Sequence, residues 1–318
     1  MKVLVTGGAG FIGANLCRTL VRRGAEVVVL DDLSTGRLAH LEGVDVDLRV
    51  ASVLDRAAVV DACAKVDSVV HLAAVPSVGR SLVDPHRSND VNVTGTLEVL
   101  DAARAVDAQV VLASSSSVYG HNPSLPKSEE MVCAPASPYA AGKLAAESYA
   151  LSYQTCFGLK CAAFRFFNVF GPLQTPGHAY AAAIPAFVWA ALHGEPLAVF
   201  GDGEQSRDFT FVDSVVDVLT ECVRRGISDA GPINLAFGTR TSLNDVIGML
   251  SALLGRRLDV VHHPARTGDV RHSQASAVAL RRLFPMIEPL PLEMALCRTV
   301  EWMESLVLQT GTPVGTPR

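Results

Sequence analysis

Tyr139 and Lys143 stand four residues apart in SPYAAGK, at the start of YAAGKLAAESYALSY, a segment that reads as a helix. On a helix that interval puts a phenol and an ammonium on the same face. A tyrosine of pKa about 10 is a poor base at neutral pH, but a neighbouring Lys⁺ favours the tyrosinate and makes it a usable general base. Four serines, Ser114 to Ser117, follow the apolar run QVVLA and precede VYG. Linkers do not follow buried runs, so these hydroxyls read as the floor of a site at the end of a strand. A third group is TGGAGFIG, which contains Gly8-x-Gly10-x-x-Gly13 and Gly7-x-x-Gly10-x-x-Gly13. Glycines there permit a tight turn and let backbone N–H groups approach a pyrophosphate at a helix N-terminus. Asp31 ends the next apolar run, where a carboxylate accepts both ribose hydroxyls and repels a 2′-phosphate. The expected cofactor is therefore NAD rather than NADP.

These groups need elements to hold them. KVLVT (2 to 6) is a short β-branched run, followed by the glycines and by FIGANLCRTLVRRG, in which Ile12, Leu16, Leu20 and Val21 share one helical face. The order repeats in EVVVLDD (26 to 32), SVVHLAA (68 to 74), QVVLASSS (109 to 116) and KCAAFRFF (160 to 167), with helical stretches such as VNVTGTLEVLDAARAV between them. Apolar runs alternating with helices predict an α/β fold, a doubly wound parallel sheet of the Rossmann type. After Asn168 several prolines and glycines break the chain, before VVDVLTECVRRG, PINLAFG and SLNDVIGMLSALLG restore regular elements. We expect a dinucleotide-binding domain over 1–168 and about 213–238, a smaller discontinuous substrate lobe over about 169–212 and 239–307, and a frayed tail at 308–318.

The 318 residues, 49% of them hydrophobic, suffice for a sizeable core. A net charge of −5 provides no basic field for nucleic acid, so an anionic ligand must be met by a few placed arginines. Seven scattered cysteines without a C-x-x-C pair suit reduced thiols, and no metal is expected. Glycines interrupt the N-terminus too early for a signal peptide, and no apolar run reaches the roughly 18 residues of a membrane span. A cytoplasmic protein is expected.

Taken together, GGAGFIG, HLAA (71 to 74), VNVTGT (91 to 96), the serine stretch, Y-x-x-x-K and RFFNVFGP (165 to 172) resemble the extended short-chain dehydrogenase/reductase family, and within it the NAD-dependent nucleotide-sugar epimerases and dehydratases. The resemblance runs from residue 2 to about 305. It implies that Tyr139 takes a proton from a sugar hydroxyl, Lys143 holds the nicotinamide ribose and tunes the phenol, and Ser115 hydrogen-bonds the reacting oxygen. Cofactor contacts would come from Gly7, Gly10, Phe11, Ile12, Gly13 and Asp31, with Leu72, Ala73, Ala74 and Asn92. Arg207 in GDGEQSRDFTFVDSVVD, Arg266 and Asp269 in RTGDVRHS, and Asn168 would hold the nucleotide diphosphate and its neighbours.

The resemblance also divides the family. Dehydratases place Asp and Glu after the catalytic Ser/Thr, whereas here Ser116 and Ser117 occupy those positions, which favours epimerisation at C4. Ser273 aligns with a gatekeeper where a small residue leaves room for an N-acetyl group, and Ser77 and Ala182 look like small members of the same wall. The substrate expected is UDP-GlcNAc or UDP-GalNAc, with UDP-Glc and UDP-Gal as slower alternatives. No arginine occurs between Arg165 and Arg207, which argues against a carboxylate sugar such as UDP-glucuronate. A dehydratase, a one-way reductase and a non-catalytic dinucleotide-binding protein are the rival readings. Ser52 stands where the family carries an aspartate near adenine. A homodimer is expected, paired through the helices of LEVLDAARAV and KLAAESYALSY.

Overall fold

The computed structural model describes residues 1–176, 182–265 and 270–310. The chain opens with β1 (Lys2–Thr6), α1 (Phe11–Arg22), β2 (Glu26–Asp31), β3 (Asp47–Val50), α2 (Arg56–Ala62) and β4 (Ser68–His71). Two short helices follow, α3 (Val78–Val83) and α4 (Pro85–Asn89), then α5 (Gly95–Ala105), β5 (Gln109–Ser115), α6 (Pro138–Phe157) and β6 (Cys161–Phe166). Later come β7 (Val169–Phe170), α7 (Ala183–His193), β8 (Leu197–Phe200), β9 (Ser206–Arg207), β10 (Thr210–Phe211), α8 (Val212–Arg225) and β11 (Pro232–Leu235). The chain closes with β12 (Thr241–Ser242), α9 (Leu243–Leu253), β13 (Val260–His263), α10 (Val278–Leu283) and α11 (Leu292–Thr310).

Seven strands form one parallel sheet in the order β11-β6-β5-β4-β1-β2-β3. Strand side chains alternate between faces, and here both faces are buried. Val3, Val5 and Val29 pack with Leu16 and Leu20 of α1 and Val215 and Leu219 of α8. Leu4, Val28 and Leu30 pack on the other side with Val59 of α2, Val99 of α5 and Ala146 of α6. The expected doubly wound sheet is what the chain builds. The strand order reverses between β1 and β4, the position at which such sheets open a ligand crevice at their carboxyl ends.

Apolar runs end earlier as strands than their sequence suggests. SVVHLAA leaves the sheet after His71, and QVVLASSS leaves it after Ser115, where Ser116–Tyr119 winds into a 3₁₀ turn. Both departures release backbone over the carboxyl edge of the sheet. The edge strand β3, DLRV, was not foreseen: it pairs with β2 alone and is partly exposed, so it carries no apolar run.

Helix α6 has clear signals at both ends. The Ser137 hydroxyl accepts from the Ala140 N–H, Pro138 occupies the first turn, and Gly158 ends the helix at φ +71°. One turn beyond Lys143, the buried Glu147 carboxylate accepts from Arg165 Nε (3.0 Å) and Nη2 (2.6 Å) on β6 and from Ser114 Oγ (2.6 Å) on β5. Only 4% of the arginine and 3% of the glutamate side chain is exposed. Removing one partner strands the other charge, so Glu147→Gln should cost about 3–5 kcal/mol of stability. Urea unfolding monitored by circular dichroism measures it.

Candidate active site

The chain leaves β1 through Gly7 at φ +70°, and its N–H donates to the Leu30 carbonyl at 2.8 Å. A Cβ on Gly7 would lie 2.7 Å from the Ala73 backbone nitrogen, and one on Gly13 would fall on the Gly7 carbonyl oxygen. Gly10 then caps α1 in an extended conformation with no side-chain cap. The first-turn N–H groups of a helix have no partner within it, and this bare entrance suits a diphosphate. Asp31 is 7% exposed at the end of β2. Its Oδ2 accepts from the Ala9 N–H (2.9 Å) and its Oδ1 from the Leu33 N–H (2.8 Å). Burial raises its pKa, and those two backbone donors pull it back down. Each oxygen keeps acceptor capacity for a ribose hydroxyl, and the enclosed carboxylate disfavours a phosphate there.

A cleft of about 560 Å³ crosses the carboxyl ends of the strands, from Ser52 after β3 to Asn168 after β6. Five interstrand steps make that span roughly 24 Å. Gly7, Gly10, Phe11, Ile12, Gly13 and Asp31 line it. So do Leu72, Ala73 and Ala74, which follow β4 as a loop. Asn92, expected to touch the cofactor, does not line the cleft. Its amide instead grips the Val75 peptide, accepting from the N–H at 2.8 Å and donating to the carbonyl at 3.2 Å. Beneath this loop the Ala73 N–H donates to the Thr6 hydroxyl (3.3 Å), which contacts His71 Nδ1 at 2.7 Å. His71 Nε2 lies 3.0 Å from the Thr96 hydroxyl, which donates to the Asn92 carbonyl at 2.7 Å. Such a chain requires the Nε2–H tautomer. Burial, followed by the charge on Lys143, pushes the His71 pKa down to about 3, so the ring is neutral.

Ser115, Ser116, Tyr139 and Lys143 meet on one wall of the cleft. Lys143 is 6% exposed, and its ammonium donates to the Ala113 carbonyl at 2.9 Å. Burial lowers its pKa to about 8. Burial also raises the pKa of Tyr139, while the Ser115 hydroxyl beside the phenol opposes that shift. Ser115 Oγ accepts from the Ser117 N–H at 3.2 Å and from the Ser117 hydroxyl at 2.8 Å. Ser114 also lines the cleft, and its hydroxyl donates to Glu147. The arrangement can hold a hydroxyl between a serine and a tyrosine, with the Lys143 ammonium one helical turn along α6.

Among the residues expected at the substrate, Ser77, Ser116, Asn168 and Ala182 line the cleft. Ser77 caps α3 at φ +79°, its Oγ accepting from the Arg80 N–H. Ser117, Arg207 and Ser273 do not line it. Arg207 donates to the Ser206 and Arg271 carbonyls, and the Ser273 N–H donates to Ser206, so these two share one small strand pairing. Arg266 and Asp269 lie outside the described residues. Arg80 and Arg87 were not singled out from the sequence, yet both line the cleft, Arg87 lying 3.7 Å from Asp32. Asp84-Pro85, an N-cap followed by a first-turn proline, is the signal that could have located α4 and hence Arg87.

The family model for the NAD dependent epimerase/dehydratase family matches residues 3–236. A UDP-glucose 4-epimerase from Mycolicibacterium smegmatis is 38% identical over 316 residues, covering 96% of this chain and 99% of that one. Among solved structures, a UDP-N-acetylglucosamine 4-epimerase from Methanobrevibacter ruminantium in complex with UDP-N-acetylmuramic acid superposes with a TM-score of 0.91 at 35% identity, covering 96% of this chain and 98% of the other. A UDP-glucose 4-epimerase from Thermotoga maritima with UDP-glucose gives a TM-score of 0.90 at 31% identity, covering 96% and 100%. This chain, built as a doubly wound parallel sheet, belongs to the NAD-dependent epimerase/dehydratase family. Its cofactor is NAD. None of the helices among the described residues is long and apolar enough to cross a membrane.

Two outcomes follow from the site. Asp31→Ala removes two charge-assisted acceptors and should weaken NAD binding roughly 10- to 100-fold, measured by calorimetry on cofactor-stripped protein. In NAD-free protein, Lys143→Met should raise stability at pH 7 by up to about 3 kcal/mol, because it deletes a buried charge. The folded pKa of about 8 lies below the ordinary lysine value of 10.5, so the unfolded chain holds the extra proton between those values. Wild-type stability therefore rises with pH across that window. The gap to the variant closes there, which paired urea melts at pH 7 and above pH 10 will show.

Proposed function

We propose that the chain is a UDP-sugar 4-epimerase that interconverts UDP-GlcNAc and UDP-GalNAc, with UDP-Glc and UDP-Gal turned over more slowly. The observation that carries the reading is the meeting of Ser115, Tyr139 and Lys143 on the wall of the NAD cleft, with hydroxyls at Ser116 and Ser117 where an eliminating enzyme needs a carboxyl pair. When bound, NAD supplies the hydride acceptor for C4 and, once reduced, the donor that restores it. Tyr139 removes the proton from O4 and later returns one, and Ser115 holds the reacting oxygen. Lys143 favours the phenolate by its charge. Asn168 on the cleft wall, with Arg266 and Asp269, holds the nucleotide end while the flat 4-keto sugar turns to present its other face. Rate comes from positioning and from the tuned phenol.

An N-acetyl sugar is supported by the small Ser77 and Ala182 on the cleft wall and by the likeness to the UDP-N-acetylglucosamine 4-epimerase. The M. smegmatis relative, named for UDP-glucose, supports the slower pair. Arg80 favours a second reading, in which the sugar carries a carboxylate, because it places a guanidinium in the cleft despite the arginine-free stretch between 165 and 207. We also place the protein in the cytoplasm, as a homodimer paired through α5 and α6; the half-exposed Tyr149 and Phe157 of α6 support that contact.

Purified protein without added cofactor, incubated separately with UDP-GlcNAc, UDP-Glc and UDP-glucuronate, should give a UDP-GlcNAc/UDP-GalNAc mixture fastest by proton NMR. A 4-keto or alkene product would move the chain to the dehydratases, and turnover of UDP-glucuronate alone would favour the second reading. Tyr139→Phe should retain NAD and lose at least about 1,000-fold in kcat, since it removes the general base.

A further inference from the structure

Ser117 lies outside the cleft wall, yet its backbone N–H and its hydroxyl both meet Ser115 Oγ, at 3.2 and 2.8 Å. The 3₁₀ turn over Ser116–Tyr119, which Ser115 caps, makes this double contact possible. A serine oxygen offers two acceptor lone pairs and one proton. Ser117 places a hydrogen at each lone pair. What Ser115 has left is its own proton, and the group beside it in the cleft is the Tyr139 phenol. A tyrosinate accepts such a proton. A neutral phenol must instead find an acceptor, and Ser115 with both lone pairs engaged is a poor one.

We propose that Ser117 is a positioning residue for catalysis: by occupying the acceptor sites of Ser115 it aims the Ser115 proton at Tyr139 and favours the tyrosinate that accepts the sugar proton. The bonds Ser117 to Ser115 to Tyr139 then run in one direction, each polarising the next. Ser117 thereby acts through Ser115 and not on the sugar, which differs from the substrate contact expected from sequence. The inference rests on Tyr139 being the base of the proposed reaction.

Charged groups around the phenol are left in place when Ser117 is changed. Lys143 lies one turn along α6, and Arg80 from α3 and Arg87 from α4 line the same cleft. Asp31 and Asp32 line it at the end of β2, His71 at the end of β4 is neutral, and Glu147 is paired with Arg165. A change in the Tyr139 titration on altering Ser117 therefore reports the hydroxyl chain.

The test uses NAD-loaded protein with wild-type Ser117, Ser117→Ala and Ser117→Thr. Tyrosinate formation is followed by ultraviolet difference titration, with Tyr139→Phe subtracted to isolate the one phenol. Ser117→Ala keeps the backbone donor and loses the hydroxyl, so the tyrosinate midpoint should rise by about half to one pH unit, as should the acidic limb of kcat. On that limb kcat falls roughly three- to tenfold with KM unchanged, and Ser117→Thr restores both values. A Ser117→Ala midpoint equal to wild type, or a loss of kcat equal at every pH, would overturn the proposal. Absence of epimerisation by the wild-type protein would count against the proposed reaction alone. The titration needs no sugar and still decides the role of Ser117.

Discussion

A β-strand turns successive side chains to opposite faces, and at the end of β5 that rule assigns two neighbouring serines to opposite tasks. Ser114 turns inward, where its hydroxyl meets the Glu147 carboxylate shared with Arg165. Ser115 turns outward into the NAD cleft. Because Glu147 belongs to α6, the inward contact fixes that helix against β5 and β6 in a single register. Tyr139 and Lys143, two turns and one turn earlier on the same helix, are placed by the same contact. A shift of α6 by one residue would rotate its side chains by roughly 100° and take the phenol away from Ser115.

Burial in this region disfavours charge. Lys143 is enclosed with the Ala113 carbonyl as its hydrogen-bond acceptor, and its pKa falls toward the working pH of an enzyme. Tyr139 is pushed the other way by the same desolvation. Both shifts run toward the neutral form, the lysine's downward and the phenol's upward. At the other end of the cleft, two backbone N–H groups oppose the rise in pKa that burial imposes on Asp31.

How much of this could be read in the sequence depended on whether a signal is local. The strands β1, β2, β4, β5 and β6 are buried on both faces and appear as apolar runs. β3 is an edge strand with polar, half-exposed residues, and β7, β9, β10 and β12 are two residues long, so none of them carries a pattern. The glycine turn, the end of β2 at Asp31 and the helix carrying Tyr139 and Lys143 were legible because each placement depends on spacing within a few residues of an element boundary. Glu147 with Arg165, Asn92 with Val75, and Arg80 in the cleft depend on tertiary contact, to which spacing gives no access. Ser117 is an intermediate case: its position was noticed, but its partner depends on how the chain turns after β5.

The seventh strand has a bearing on how the molecule comes to be made. β11 pairs with β6, Pro232 lying beside Ala163, so about 70 residues separate two neighbours in the sheet. Asn234 on β11 also accepts from the Tyr119 hydroxyl at 2.7 Å, reaching still further back along the chain. During synthesis β6 therefore waits as an open edge, its backbone groups on that side unpaired, until the intervening segments have emerged. Closing so distant a pairing is slow relative to local helix formation. A nascent or truncated chain that stops short of Leu235 presents that edge to other chains, and its hazard is aggregation before any question of activity arises.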